Sequence, residues 1–310
     1  MPTINEDDLP IKLDSYDRAI LNELEINSRI SFQQLGKKVR LARDTAAYRV
    51  KKLEALGVID KYTIKTNYEF LGFQEYIVLF QLYETESQEL QGFYDFLINQ
   101  DKAVEITAYT DKWDLRVVFH THDVHELDEL LSEINNNYYH VISDQEIMAK
   151  AGAFRFRKDA VNYDFDDKDK EIINILFKNS RESLINIAKQ VNMSSDAIMN
   201  RLRKYKDTLV FTTDINYNKA GLHYYTILLR MKKFTKKEEA KLSELIVENK
   251  SFLKAIKVIG NWNIILSVLA KDAREFHLLI QKLRSVFSQN IRDFDTLIAY
   301  KEIKNQKGFH

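Results

Sequence analysis

A run of cationic and hydrogen-bonding side chains between residues 43 and 52 has the spacing of one helix face. Ala46, Val50 and Leu53 recur at helical spacing and predict the buried face of that helix. The rest of the helix carries Arg43, Thr45, Tyr48, Arg49, Lys51 and Lys52. Cations neutralise phosphates and polar tips read base edges, so this pattern is typical of a helix that enters the major groove of double-stranded DNA.

The same stretch occurs a second time in the chain. With a shift of 152 residues, Asn27-Ser28-Arg29 falls on Asn179-Ser180-Arg181. After a three-residue shortening the shift becomes 149, and Trp113 falls on Trp262. This period is far longer than that of a solenoid repeat. It indicates that a whole two-domain protein has been duplicated in tandem.

The second copy of the cationic helix predicts a similar surface with different side chains. Its candidate DNA-contacting residues are Asn200, Arg201, Arg203 and Lys204. Asn200 stands where the first copy has Tyr48. An asparagine can form a bidentate pair with adenine and a tyrosine cannot, so the two helices are expected to read different bases.

Charge is strongly segregated although the 310 residues have a formal net charge of zero. Between residues 29 and 65 there are ten Lys and Arg residues and three acidic residues. Between residues 86 and 146 there are three Lys and Arg residues and fourteen acidic residues. A basic segment therefore lies beside an acidic one, which favours a nucleic-acid contact confined to the basic segment.

The elements around the first cationic helix predict a helix-turn-helix. Asp14 is a helix N-cap, and Ser31 begins a capping-box pattern that opens a short second helix. A turn at 40–43 then leads into the cationic helix, which should end near Gly57. Residues 58–64 alternate in polarity as a β-wing would.

The strand and helix patterns that follow each helix-turn-helix, in the acidic segment and in its second copy, predict a ferredoxin-like βαββαβ domain. The fold class is therefore α+β: two winged helix-turn-helix domains, each followed by a ferredoxin-like companion domain. The predicted boundaries are 12–66 and 67–156 for the first unit, 157–164 for a linker, and 165–215 and 216–305 for the second unit.

The first helix-turn-helix resembles the Lrp/AsnC, or feast/famine, regulators. The resemblance rests on Leu41-Ala42-Arg43 and on the run from Tyr48 to Ile59, which contains Arg-Val-Lys-Lys-Leu-Glu-Ala-Leu-Gly-Val-Ile. The second copy departs from the pattern between Tyr205 and Phe211, where the glycine and part of the predicted wing are lost.

This resemblance implies a sequence-specific transcriptional regulator modulated by a small effector such as an amino acid. The fused units would act as an intramolecular pseudo-dimer. Assembly of several chains into a homo-oligomer is a further possibility. The family's effector-linked turn implies a site at Asp111, Trp113, Asp114, Gly260, Trp262 and Asn263.

Other chemistries find little support in the sequence. The chain has no cysteine, and we expect neither a catalytic site, nor a metal, nor a cofactor. His120 and His122 share a strand face, but the second copy does not repeat them. The N-terminal sequence and the short apolar runs predict a cytoplasmic protein without a membrane partner. Two alternatives stay open: an enzyme similar to siroheme decarboxylases, which look like two fused units of this type, and an interaction scaffold that does not bind DNA.

Overall fold

A computed structural model describes residues 9–66, 68–154, 165–205 and 208–305. The linker predicted at 157–164 lies outside these residues. Within them the chain follows the same order of elements twice, as the duplication requires. No helix among the described residues is long and apolar enough to span a membrane.

Three helices open the first unit, and each begins near its predicted residue. They are α1 (Ser15–Ile26), α2 (Phe32–Val39) and α3 (Arg43–Ala55). The side chain of Asp14 accepts from the backbone N–H of Asp17, and that of Ser31 accepts from the N–H of Gln34; both form capping boxes. These caps satisfy amide groups that the first helical turn leaves unpaired.

The companion domain of the first unit has the predicted βαββαβ order. After β1 (Ile59–Lys65) and a 3-10 turn come β2 (Gln74–Leu82), α4 (Ser87–Asn99), β3 (Ala103–Tyr109), β4 (Leu115–Thr121), α5 (Val124–Tyr138) and β5 (Ile142–Ala153).

The second unit repeats this order with a shorter third helix. It contains α6 (Asp167–Lys178), α7 (Leu184–Val191), α8 (Ser195–Lys204), β6 (Val210–Ile215), β7 (His223–Met231), α9 (Lys236–Glu248), β8 (Phe252–Ile259), β9 (Ile264–Ala270), α10 (Ala273–Phe287) and β10 (Ile291–Asn305). Helix α8 has 10 residues and α3 has 13, whereas β6 has 6 residues and β1 has 7. Most of the shortening therefore falls on the helix rather than on the strand after it.

The two companion sheets close into one barrel. Its strand order is β10-β3-β4-β2-β5-β8-β9-β7, and the two sheets join where β5 pairs with β8 and β10 pairs with β3. Closure leaves the companion sheets without a free edge strand. The barrel interior holds an apolar cluster to which both units contribute, and this cluster includes Trp113 and Trp262.

The predicted wing is a strand, but it does not form a wing of its own unit. Strand β1 pairs antiparallel with β6, its counterpart in the other unit. An alternating pattern specifies a half-buried strand but not its partner, and here the partner is the equivalent strand 149 residues away, as in the pair Thr63 and Thr212.

The units also exchange the segments that follow these strands. The core of the first helix-turn-helix includes Ile215 and Ala220 from the second unit. The core of the second helix-turn-helix includes Ile64 and Tyr68 from the first unit. Each three-helix domain therefore completes its hydrophobic core with residues of the other copy.

Candidate nucleic-acid interface

The candidate interface of the first unit is the outer face of α3. Ala46, Val50 and Leu53 are buried, as their spacing predicts. The predicted contact residues Arg43, Thr45, Tyr48, Lys51 and Lys52 are exposed. Tyr48 is 68% exposed, which is unusual for a large aromatic side chain and leaves its ring and hydroxyl free to contact a ligand. The face thus combines three cations with two hydroxyl groups.

Helix α8 presents a second, smaller face. Ile198 is buried beneath it, and Asn200, Arg203 and Lys204 are exposed. Arg203 Nη1 donates to Asn200 Oδ1 at 3.3 Å, so the two side chains form one polar group on the helix surface. Because α8 is shorter, it offers fewer exposed side chains than α3.

Arg49 and Arg201 do not lie on these open faces. Arg49 Nη1 donates to Asp14 Oδ2 at 2.8 Å and to Asp17 Oδ1 at 2.7 Å. These carboxylates form the capping box of α1, so the guanidinium group ties α3 to the start of α1. The backbone amide of Asp17 and the guanidinium group of Arg49 together lower the pKa of Asp14.

The second unit builds the same arrangement. Arg201 Nη1 donates to Asp166 Oδ2 at 2.7 Å and also contacts Asp169. The hydrogen bond from Arg201 is the main reason that the pKa of Asp166 is lowered. Both predicted contact arginines are therefore engaged in ion pairs that link the third helix of a unit to its first helix.

A pseudo-twofold axis passes between the two helix-turn-helix domains at Ser28 and Ser180. Their hydroxyl oxygens lie 2.6 Å apart, and both side chains are buried. The two residues are equivalent in the repeat. A contact between equivalent residues marks the axis that relates the copies.

Two arginines fasten the domains on either side of this axis. Arg29 donates from Nε to the Ser180 carbonyl at 2.5 Å and from Nη2 to the Glu182 carbonyl at 2.6 Å. Arg181 returns the contact from its Nε to the Ser28 carbonyl at 2.6 Å. The Arg181 guanidinium also lies over the ring of Tyr62, 4.4 Å from its centroid. These reciprocal bonds fix the separation and orientation of α3 and α8.

The sequence did not single out Arg29 and Arg181 as functional residues. The available signal was the Asn-Ser-Arg run, which is identical in both copies although the next residue differs, Ile30 in the first copy and Glu182 in the second. Identity at equivalent positions is what a contact across the axis between the copies would favour.

The turns predicted to bind an effector are packed into the barrel. Trp113 and Trp262 are 2% and 7% exposed and belong to the shared core. Asp114 Oδ2 accepts from the Leu82 N–H at 2.8 Å, and Asn263 Oδ1 accepts from the Met231 N–H at 2.6 Å. The replacement of aspartate by asparagine therefore keeps the same hydrogen bond.

The remaining turn residues contact the other unit. Asp111 Oδ2 accepts from the Ile298 N–H at 2.7 Å. Gly260 has a φ of +155°, and a Cβ there would lie 2.9 Å from Met148 Cγ. These contacts give the turns a structural role where the two companion sheets meet.

Comparison with known proteins matches the same two regions. A model of the AsnC-type helix-turn-helix domain matches residues 13–54 and 165–206. An uncharacterized HTH-type transcriptional regulator of Pyrococcus furiosus is 32% identical over 127 residues, which are 41% of this chain and 82% of that protein. A regulator of the same description from Pyrococcus horikoshii is 31% identical over 124 residues, 40% of this chain and 83% of that one.

A solved structure of an enzyme is similar over most of the length of the fused chain. The siroheme decarboxylase NirDL covers 94% of this chain with 93% of its own, at a TM-score of 0.64 and 13% identity. At this identity the likeness concerns the fold of two fused units. Because the helix-turn-helix model matches twice and the relatives align over most of their own length, the chain belongs to the Lrp/AsnC family of helix-turn-helix transcriptional regulators, with the family unit present in two copies.

Proposed function

We propose that the two helix-turn-helix domains bind one DNA duplex together, so that the chain acts as an intramolecular pseudo-dimer. The contact between Ser28 and Ser180 carries the proposal, since it sets α3 and α8 about one axis within a single chain. Double-stranded DNA has a matching local twofold, so two helices so related can enter successive major grooves about 34 Å apart.

The two half-sites should differ in both sequence and strength. The first unit would bind through Arg43, Thr45, Tyr48, Lys51 and Lys52, and the second through Asn200, Arg203 and Lys204. The longer α3 presents more exposed side chains, so we expect it to supply most of the affinity. Asn200 would bias the weaker half-site towards adenine. The operator should therefore be an imperfect palindrome.

Arg49 and Arg201 would act as positioning residues in this complex. Their ion pairs hold α3 against α1 and α8 against α6. These contacts would fix the orientation of α3 and α8 within their domains. Two neighbouring carboxylates offset the positive charge of each guanidinium group, so it attracts a phosphate only weakly.

Selection of DNA sequences by the purified full chain, followed by gel shifts across a salt series, tests the proposal. We expect an asymmetric DNA site with two unequal halves. We also expect that the slope of log K against the logarithm of the salt concentration corresponds to several phosphate contacts. Changing Lys51 and Lys52 to Ala should weaken binding to every sequence and reduce the slope by about 1 for each lysine that contacts a phosphate.

The matched control removes the same charge from a distant surface. Lys236 and Lys237 are exposed at the start of α9 on the companion domain. Changing both to Ala should leave the slope unaltered. An equal loss of affinity in both double variants would show that α3 is not part of the interface. A strictly symmetric operator that is contacted equally on both halves would refute a pseudo-dimer in which α3 and α8 recognise different bases.

Siroheme decarboxylation is a second candidate because the likeness to NirDL extends over 94% of the chain. The purified protein should then retain a Soret absorption band on gel filtration after it has been incubated with an iron porphyrin carrying carboxylate groups. Our proposal expects selected DNA to bind and no such band to appear. Failure of both tests would favour an interaction scaffold.

A further inference from the structure

The two companion domains carry opposite charge, although they are copies of one another. Residues 68–154 contain seventeen acidic residues and four Lys or Arg residues. The equivalent residues 217–303 contain nine acidic residues and sixteen Lys or Arg residues. The proposed DNA contacts account for none of these charges, because they lie on α3 and α8. One chain therefore holds an acidic companion domain and a basic one.

Helix α5 presents the acidic surface of the first companion domain. It contains Glu126, Asp128, Glu129 and Glu133, and it has no Lys or Arg. Asp128, Glu129 and Glu133 are exposed, and they form no ion pair with any residue in the described part of the chain. Glu129 and Glu133 are four residues apart on the helix, where like charges repel each other. A cationic partner on this face would therefore relieve an unfavourable interaction.

Helix α10 is the equivalent of α5 in the second companion domain and carries the opposite charge. It contains Arg274, Lys282 and Arg284 and one acidic residue, Glu275. All three cations are exposed, and they have no ion-pair partner among the residues that the structure describes. Lys282 stands at the position of Glu133 in the repeat, so the charge at this position is inverted between the copies.

The acidic and basic helices cannot neutralise each other within one chain. Helix α5 packs on β4, and α10 packs on β9. In the barrel order, β4 is the third strand and β9 is the seventh of eight, so they lie opposite each other across the barrel. The outer faces of α5 and α10 therefore point to opposite sides of the molecule.

Apolar side chains accompany the cations of α10. Leu278 and Val286 are 56% and 37% exposed, one helical turn before and one after Lys282. On α5, Val124 is 55% exposed. A nucleic-acid backbone is contacted by cations and hydrogen-bond donors, so apolar side chains among the cations favour a protein partner. The closed barrel has no free edge strand that could pair with such a partner, and the helices form its outer surface.

We propose that the basic face of α10 binds the acidic face of α5 in a second copy of this chain. The two faces are complementary in charge, and every chain carries both. Because the contact joins two different surfaces, a pair of chains still has one free α5 and one free α10. Such a heterologous contact continues from chain to chain until a ring closes or a filament grows. This association goes beyond the proposed DNA binding and is measured without DNA.

Sedimentation velocity of the full chain over a range of protein concentrations measures the association. We expect oligomers at about 0.05–0.15 M sodium chloride, and we expect them to dissociate at about 0.5 M, where the Debye length is only about 4 Å. Two triple variants reverse the charge of one helix each. The α10 variant combines Arg274→Glu, Lys282→Glu and Arg284→Glu, and the α5 variant combines Asp128→Lys, Glu129→Lys and Glu133→Lys.

Each triple variant alone should associate at least about tenfold more weakly than the wild type, because its α5 and α10 then carry like charges. A mixture of the two variants should associate again. In the mixture, the cationic α5 of one variant meets the acidic α10 of the other. This recovery distinguishes charge complementarity from a general loss of structure. Where a triple variant does not fold, Glu133→Lys and Lys282→Glu give the same comparison with one change each.

A matched control reverses three exposed charges on the other helix of the basic companion domain. It combines Lys236→Glu, Lys237→Glu and Lys241→Glu, all of which lie on α9. This α9 variant should associate as the wild type does at about 0.15 M salt, because charges beyond the Debye length of about 8 Å are largely screened.

Four results would overturn the proposal. The first is a wild-type chain that stays single at every concentration in low salt. The second is an equal loss of association in the α9 and α10 variants. The third is a mixture of folded α5 and α10 variants that does not associate. The fourth is an α10 variant that associates normally but binds DNA more weakly, which would assign the basic face to nucleic acid.

Discussion

The hydroxyl oxygens of Ser28 and Ser180 lie 2.6 Å apart although 152 residues separate them in the chain. On both sides of this pair the backbones are bonded across the units: the Ser28 N–H donates to the Phe211 carbonyl and the Ser180 N–H donates to the Tyr62 carbonyl. The axis is therefore built from backbone contacts as well as side chains, and the helix-turn-helix domains are held to each other and not only to their companion domains.

Arg29 should set the separation of α3 and α8, the two helices that we propose to contact DNA. Arg29→Met removes the donor to the carbonyl groups of Ser180 and Glu182. Leaving such acceptors unpaired costs about 1–3 kcal/mol, so we expect a lower free energy of unfolding. Binding to DNA with both half-sites should weaken more than binding to DNA with one. Fluorescence anisotropy with matched one-site and two-site duplexes measures the difference.

Arg18→Met is the control for this variant, because Arg18 is an exposed cation on α1 of the same domain. It removes the same charge without touching the axis. If Arg29→Met weakened one-site and two-site binding equally, Arg29 would be acting on the domain itself and not on the separation of the domains.

Neither half of the chain should fold as a monomer. Each helix-turn-helix core includes apolar residues of the other unit, and within the described part of the chain β1 and β6 pair only with each other in their sheet. A half expressed alone would expose these surfaces. We expect residues 1–154 or 165–310 alone to be unfolded or to pair with a second copy, and the two halves to recover one complex when they are expressed together. Size-exclusion chromatography with light scattering distinguishes these outcomes, and a folded monomeric half would contradict the expectation.

Local patterns predicted the elements and the repeat well. The caps at Asp14 and Ser31 depend on contacts within three residues, so they can be recognised in the sequence. The spacing of Ala46, Val50 and Leu53 identifies the buried face of α3 even when the residues that pack against it are not known. The sequence could not show that β1 pairs with β6, because alternation in a wing and in a strand of a shared sheet look the same.

The candidate site shows the same limit. Periodicity correctly placed Lys51 and Lys52 on an exposed face, but Arg49 meets Asp17 over a separation of 32 residues that no local rule reports. Likewise, Glu75 on β2 is approached within 3.6 Å by His120, Lys150 and Lys254, which lie on three other strands from both units.

Arg49 should stabilise its domain and contribute little to the salt dependence of DNA binding. Arg49→Met removes hydrogen bonds to two carboxylates, of which Asp17 is largely buried. Bonds to charged groups contribute about 1.5–3 kcal/mol, and partial exposure places the expected loss near the lower value. Arg49→Lys should recover only part of it, because one ammonium group does not reproduce the planar guanidinium fork.

Denaturant unfolding measures the loss of stability, and the salt slope of DNA binding separates the roles. A positioning residue lowers affinity at each salt concentration and leaves the slope in place. A slope reduced by about 1 in Arg49→Met, as expected of a lysine that contacts phosphate, would show that Arg49 neutralises a phosphate after all.

The carboxylate of Asp114 should be replaceable by an amide, because both copies use this position to accept one backbone hydrogen bond. Asp114→Asn retains the acceptor for the Leu82 N–H, whereas Asp114→Ala loses it and should cost about 1–2 kcal/mol. Burial raises the pKa of Asp114, although amide groups oppose the shift. The charged form is therefore less favourable in the folded chain than in the unfolded chain.

The sign of the pH effect follows from this shift. A carboxyl group with a raised folded pKa contributes its stability below the unfolded pKa of 3.8 and loses it as the pH rises through the folded value. Asparagine does not titrate, so Asp114→Asn should gain stability relative to the wild type between pH 3 and pH 7. Asn263→Asp should lose stability over the same interval, because it places a titrating carboxyl group at the equivalent turn. Melting temperatures of the wild type, Asp114→Asn and Asn263→Asp at pH 3 and pH 7 test both expectations. If the gain in stability of Asp114→Asn were larger at pH 3 than at pH 7, the ionised carboxylate would instead stabilise this turn.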